Sequence, residues 1–294
     1  MTFQTEMKTG TIVTFAGGTE AGEARILFAA PQDGAWLVAV DRTPFHPLSP
    51  TWPDQPGDRG FMVLADGARV AVADSVTGLL DAAAGVLLLG EAAAQVPRDQ
   101  PDTHAVVLHV VAGDMAGRPG EGVRLQVDAE FRRALSLQHS GIHLAALALN
   151  QCAAGFWTKD FSQRDALGFP DFDKAAVARS AIFEDRSEDA FRIGKSLRKK
   201  GFDRDAFMAD LPARAGAVNA TLRAMLAGAG PAGVTPAEGP LDGRRLWSTR
   251  LQGAEVAIFC GGTHVSDLSG IAEIAVSLEP GEDGFLMVTR SRAG

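Results

Sequence analysis

Two short stretches decide how this chain reads: Cys260-Gly261-Gly262-Thr263-His264 and, far upstream, His139-Ser140-Gly141-Ile142-His143. Each sets two metal-capable side chains four residues apart. In a helix, four residues rise about 6 Å along one face, so His139 and His143 can reach one ion. In the other stretch, the two glycines let the backbone fold tightly enough to bring Cys260 and His264 together. Three imidazoles and a thiolate form the N/S set that tetrahedral zinc prefers. With six His and two Cys in 294 residues, both spacings arise together by accident on the order of 0.5% of the time. Zinc bound by His139, His143, Cys260 and His264 is therefore preferred over packed histidines and a buried thiol.

The histidine pair falls on a helix expected over 129–152. Asp128 suits its N-cap, Glu130 its positive end, and Phe131, Leu135, Ile142 and Leu149 its apolar stripe. Upstream, Thr11–Phe15, Ala24–Ala29, Trp36–Val40, Phe61–Leu64 and Arg69–Ala73 read as short strands of a small barrel or sandwich. Gly85–Leu89 adds a strand. Pro97-Arg98-Asp99-Gln100-Pro101-Asp102 reads as a linker between domains at 1–98 and 102–294. Further strands are expected at His104–Val111, Val123–Val127, Leu246–Leu251, Ile271–Leu278 and Phe285–Thr289, with a helix over 203–228 bent or started again near Pro212. The expected class is α+β: an N-terminal small β-barrel, then an α+β domain whose antiparallel sheet is packed by helices.

Composition sets bounds. Hydrophobic residues make up 46% and charged residues 22%, ordinary for a globular protein. No apolar run reaches membrane-span length, the first residues lack a signal-peptide core, and two distant cysteines suit a reducing cytoplasm. The net charge of −8 sits awkwardly with a nucleic-acid partner, but local cations govern docking. Arg192, Lys195, Arg198, Lys199, Lys200 and Arg204 form one cluster, equally readable as a solvated helix face. Arg244, Arg245 and Arg250 form a weaker one. Cys152 reads as core, His46 as structural, and His104 and His109 as strand residues.

The words around the metal pairs are more specific than their spacing. CGGTHV at 260–265 resembles the signature of the editing domain of alanyl-tRNA synthetase and its free-standing AlaX-type relatives, within the second additional domain family of threonyl- and alanyl-tRNA synthetases. HSGIH resembles that family's HTxxH, with Ser140 where Thr is usual. VDRTPFHP at 40–47, QPGDRG at 55–60 and GVRLQVDAEFRR at 122–133 are similar to its other motifs, in family order over nearly the whole chain. The resemblance implies zinc-dependent hydrolysis, in the cytoplasm, of the ester joining a wrong amino acid to alanine tRNA. It implies no obligate protein partner. An alanine pocket cannot exclude glycine and rejects serine only weakly, which is why such a second sieve is needed. Thr263, Ser140 and Gln138 become candidate catalytic or hydrogen-bonding residues; Gln55, Arg198, Lys199 and Lys200 become candidate tRNA contacts.

Some features depart from the family. Pro50 to Asp54 replace the glycines before Gln55, Ser269 to Glu273 displace an acidic residue, and the basic tail shrinks to Arg290 and Arg292. The zincin pattern is excluded because Ser140 stands where a general-base Glu follows the first His. Nothing resembles an aminoacylation or ATP site. Two functions stay open: a trans-editing hydrolase, or a zinc-binding protein that reuses the editing fold on a small molecule.

Overall fold

β-Branched and apolar residues punctuated by Gly, Pro and Asp make much of this chain strand. The computed structural model describes residues 1–49, 51, 53–97 and 100–294. Among these residues the protein is mixed α+β, with several antiparallel sheets and six α-helices. The chain groups into two units. The first contains Met1–Arg132, Val234–Arg245 and Gly261–Thr263; the second contains Arg133–Gly233, Leu246–Cys260 and His264–Gly294.

The first unit is organised by an eight-stranded antiparallel sheet. Ala21–Gln32 and Ala35–Val40 form a hairpin closed by Asp33-Gly34, both at positive φ, the dipeptide that matches hairpin twist. Arg69–Asp81 pairs with Gly60–Val63 through its first residues and with Thr103–Val111 along most of its length. Gly60–Val63 pairs with Gly122–Val127, which pairs with Ala21–Gln32, and Ala35–Val40 pairs with Thr103–Val111. The pairings of these six strands thus return to their start. Period-two alternation sends Val38 and Val40 into one apolar cluster, with Ile26, Met62 and Leu125, and sends Leu37 and Ala39 into another, with Phe28 and Leu108. Because Thr103–Val111 and Gly122–Val127 complete this sheet, the unit runs past the 97–102 segment to Arg132. Arg98 and Asp99 of that segment, like Pro50 and Trp52 of the altered loop, lie outside the described residues. The expected strand Thr11–Phe15 shortens to Ile12–Val13, since Phe15 opens a 3-10 turn.

A buried ion pair ties three of the quoted words together. Asp58 is fully buried and Arg132 4% exposed. The Asp58 carboxylate accepts from Arg132 Nε at 2.8 Å, from Arg132 Nη2, and from the His46 amide at 2.5 Å. Arg132 Nη2 also donates to the Pro44 carbonyl at 2.7 Å. At Gly57 a Cβ would stand 1.9 Å from the Ser75 carbonyl oxygen, so only glycine admits this backbone approach. The helix begins as expected: Asp128 Oδ1 accepts from the Phe131 amide, and the helix spans Ala129–Ala153.

The second unit carries a four-stranded antiparallel sheet in the order Val177–Ile182, Ser187–Arg192, Gly284–Ala293, Ile271–Pro280. The first two strands escape sequence reading because VARSAI and SEDAFR are rich in polar residues; pairing against Gly284–Ala293 makes them strands. Asn219, on the helix Leu211–Leu226, bonds both the amide and the carbonyl of Val276 at 2.8 Å. The expected 203–228 helix is two, Arg204–Met208 and Leu211–Leu226, capped by Asp203 and Asp210. Of the two expected arrangements the helix starts again, and Pro212 sits in the new first turn, where its missing N–H costs nothing. The basic cluster is not one helix face: Lys195, Arg198 and Lys199 lie on the helix Lys195–Lys199, Arg204 opens a separate helix, and Arg192 ends a strand.

Near the end of the long helix, Asn150 donates to Asp165 and Asp171 and accepts the Asp173 amide at 2.7 Å. Removal from water raises the Asp173 carboxyl to about 7, with the charge of Asp171 adding to the effect.

Two predictions follow from this packing. Asp58→Ala strands the Arg132 charge and should cost about 3–5 kcal/mol in denaturant unfolding. Asp173 favours its protonated form when folded, so its ionisation opposes folding increasingly as pH rises from the unfolded carboxylate pKa towards 7, and fully above it. Asp173→Asn should raise the thermal midpoint at about pH 8 and leave it nearly unchanged at about pH 4; equal effects at both would refute this.

Candidate metal centre

Helical periodicity carries His139 and His143 to one side of Ala129–Ala153, while the turn after Ala254–Phe259 carries Cys260 and His264. The four side chains meet within the second unit. One nitrogen or sulfur from each lies within 4.8 Å of all the others, so the group could hold a metal ion. Cys260 Sγ stands 3.3 Å from His139 Nε2 and 3.2 Å from His264 Nε2. Donors about 2.1 Å (N) and 2.3 Å (S) from a tetrahedral zinc would lie about 3.5 Å apart, so the spacing suits that ion without identifying it. His143 Nε2 is buried and lacks a hydrogen-bond partner. Desolvation first, and then the neighbouring His139, push its pKa well below the usual value. A neutral imidazole with an unshared lone pair is the form that ligates.

The imidazoles are stacked and walled. His139 and His143 lie 5.1 Å apart, centroid to centroid, at 17°. His143 stacks on Trp247 at 5.2 Å and 14°, and His264 lies 5.4 Å from the same ring. Trp247 is fully buried. Sequence reasoning missed it, although alternation along Leu246–Leu251 turns Trp247, Thr249 and Leu251 inward.

Ser140 binds the two ligand pairs together. Its Oγ donates to the Ser136 carbonyl at 2.9 Å, accepts the Val265 amide at 3.1 Å, and lies 3.3 Å from His264 Nδ1. With its proton directed at Ser136, the oxygen acts as acceptor toward His264, so Nδ1 carries the hydrogen and Nε2 faces the cluster. Outer hydrogen bonds of this kind fix ligand tautomers. Gln138 turns away from the cluster: its amide bonds the carbonyl and amide of Ser291, both at 2.9 Å. That double bond seats the helix on strand Gly284–Ala293.

The other candidates lie elsewhere. In the first unit, Gln55 Nε2 donates to Thr263 Oγ1 at 2.9 Å, and the Thr263 amide donates to Gln55 Oε1 at 3.1 Å. Gln55 thus orients the residue that precedes His264 in sequence. Arg198, Lys199 and Lys200 are exposed on the second unit. His46 is buried against Phe15. His109 bonds Thr43 and the Val38 carbonyl, and burial lowers its pKa to about 4; both histidines serve packing. Cys152 is half-buried, and its thiol donates to the Arg214 carbonyl. No helix among the described residues is long and apolar enough to cross a membrane.

No protein-family model matches the chain, and no curated protein matches it.

Metal analysis should find about one equivalent per chain, lost largely in Cys260→Ala. Ser140→Ala should lower metal affinity by about 10–100-fold while Ser140→Thr retains it. Unchanged affinity in Ser140→Ala would remove Ser140 from the centre.

Proposed function

We propose that this chain is a zinc-dependent trans-editing hydrolase that deacylates alanine tRNA carrying serine or glycine. The observation that carries the reading is the convergence of both motif pairs, far apart in sequence, into one three-imidazole, one-thiol cluster. The union of the 41–47, 55–60 and 122–133 words through Asp58 and Arg132 supports it. On this reading, the six-strand ring of the first unit is the small barrel of an AlaX-type protein. The second unit is then its editing half.

The reaction is ester hydrolysis. Water adds to the carbonyl carbon, the bond to the ribose oxygen breaks, and that oxygen takes up a proton as the amino acid leaves. Bound zinc supplies a Lewis acid that orients and polarises the aminoacyl group. His139, His143, Cys260 and His264 would hold that ion. Trp247 and the stacked imidazoles keep water off one side of the cluster. Ser140 is occupied by Ser136, Val265 and His264, so recognition of the serine hydroxyl passes to Thr263, held in orientation by Gln55. A polar group left unpaired by alanine costs about 1–3 kcal/mol, which separates serine from alanine.

Zinc-loaded protein should release serine and glycine from alanine tRNA, leave alanine in place, and lose activity in Cys260→Ala. Thr263→Val should narrow the preference for serine over alanine by about tenfold or more without removing metal. If all three charged tRNAs survive, the editing reading fails and a small-molecule ligand replaces it.

A further inference from the structure

The second unit carries a rigid cationic ledge. Gly201, at φ +104°, turns the chain after Lys195–Lys199, and a Cβ there would stand 2.7 Å from Lys159 Cβ. The turn is stitched to the segment after the metal helix. The Gly201 carbonyl accepts from the Thr158 amide at 2.7 Å and its hydroxyl at 2.9 Å, and Phe156 accepts the Asp203 amide at 2.8 Å. Lys159 Nζ donates to the Lys199 carbonyl at 3.3 Å. Beside this seam opens a cleft of about 520 Å³ lined by Asp160, Phe161, Ser162, Gln163 and Lys200. Lys159, Lys195, Arg198, Lys199 and Lys200 are all exposed around it. No ion pair engages these five among the described residues, and the one acid lining the cleft, Asp160, pairs with Arg164.

Concentrating unneutralised cations costs self-repulsion unless a polyanion meets them. We propose that this ledge binds the phosphodiester backbone of an RNA several nucleotides from its 3′ end; the inference rests on the tRNA reading above. The long helix sets the span. From His143 to Ala153 it rises about 15 Å, and the chain reaches Lys159 shortly after. A separation of about 15 Å spans several nucleotides of a single strand. RNA is favoured over an anionic bilayer because the one large apolar side chain lining this cleft, Phe161, is buried at 7% exposure and cannot insert.

The test uses full-length protein and an uncharged RNA hairpin with a single-stranded 3′ end, read by fluorescence anisotropy against salt. Lys159→Glu/Lys200→Glu and, independently, Lys195→Glu/Arg198→Glu should each weaken binding at least tenfold and lower the salt slope by about 2. A Lys8→Glu/Arg223→Glu control should change neither. Hairpin affinity and slope unchanged in both ledge variants would overturn the proposal, as would ledge-dependent binding to phosphatidylserine vesicles without RNA binding. Because the RNA is uncharged, a failure of editing chemistry would leave this result standing and separately readable.

Discussion

The first unit depends on the buried contact between Asp58 and Arg132. A carboxylate and a guanidinium removed from water are tolerable only when each is met by the other and by further hydrogen bonds. Here the His46 amide and the Pro44 carbonyl supply those bonds. The consequence is architectural. The loop at 41–47, the turn at 55–60 and the first turn of the Ala129–Ala153 helix must all keep their places, because losing any one leaves a charge unanswered. The same turn carries Gln55, so the orientation of Thr263 inherits its order from this pair.

In the second unit, side-chain amides perform a comparable task without charge. Gln138 and Asn219 each satisfy the amide and carbonyl of a strand residue, Ser291 and Val276, as a neighbouring strand would. These bonds hold the two helices at set heights on the sheet. A ligand pair on one helix reaches a pair on a distant turn only if the helix cannot slide, since a shift of one residue rotates His139 and His143 off their side. Ser140 then links helix to turn directly, through one oxygen shared among Ser136, Val265 and His264. The residue that resembles a substrate-contacting hydroxyl in sequence is therefore part of the scaffold that aims the ligands.

Charge is distributed to match the proposed roles. Within an acidic chain, the unit that bears the cluster exposes Lys159, Lys195, Arg198, Lys199 and Lys200, none of them in an ion pair among the described residues. Net charge alone argues against a nucleic-acid partner, whereas its placement argues for one. The discrepancy disappears because phosphate binding responds to local potential within a screening length, not to the total.

The sequence by itself marked the four residues of the cluster that could hold a metal ion. Spacing of four on a helix, and two glycines between Cys260 and His264, are local facts that tertiary packing had only to bring together. It also marked the long helix with its Asp128 cap, several core strands with apolar alternation, and the α+β class. Other features were beyond local reading. SEDAFR becomes a strand only because Gly284–Ala293 offers it a partner. Trp247 becomes a wall of the site only because its strand turns it toward His143. The engagement of Ser140 and Gln138 with the scaffold, the Asp58–Arg132 pair and the Gly201 seam each join residues distant in the chain. Local propensity and periodicity report on neighbours within a few residues; which polar group answers which across the fold is decided when burial leaves each of them one available partner.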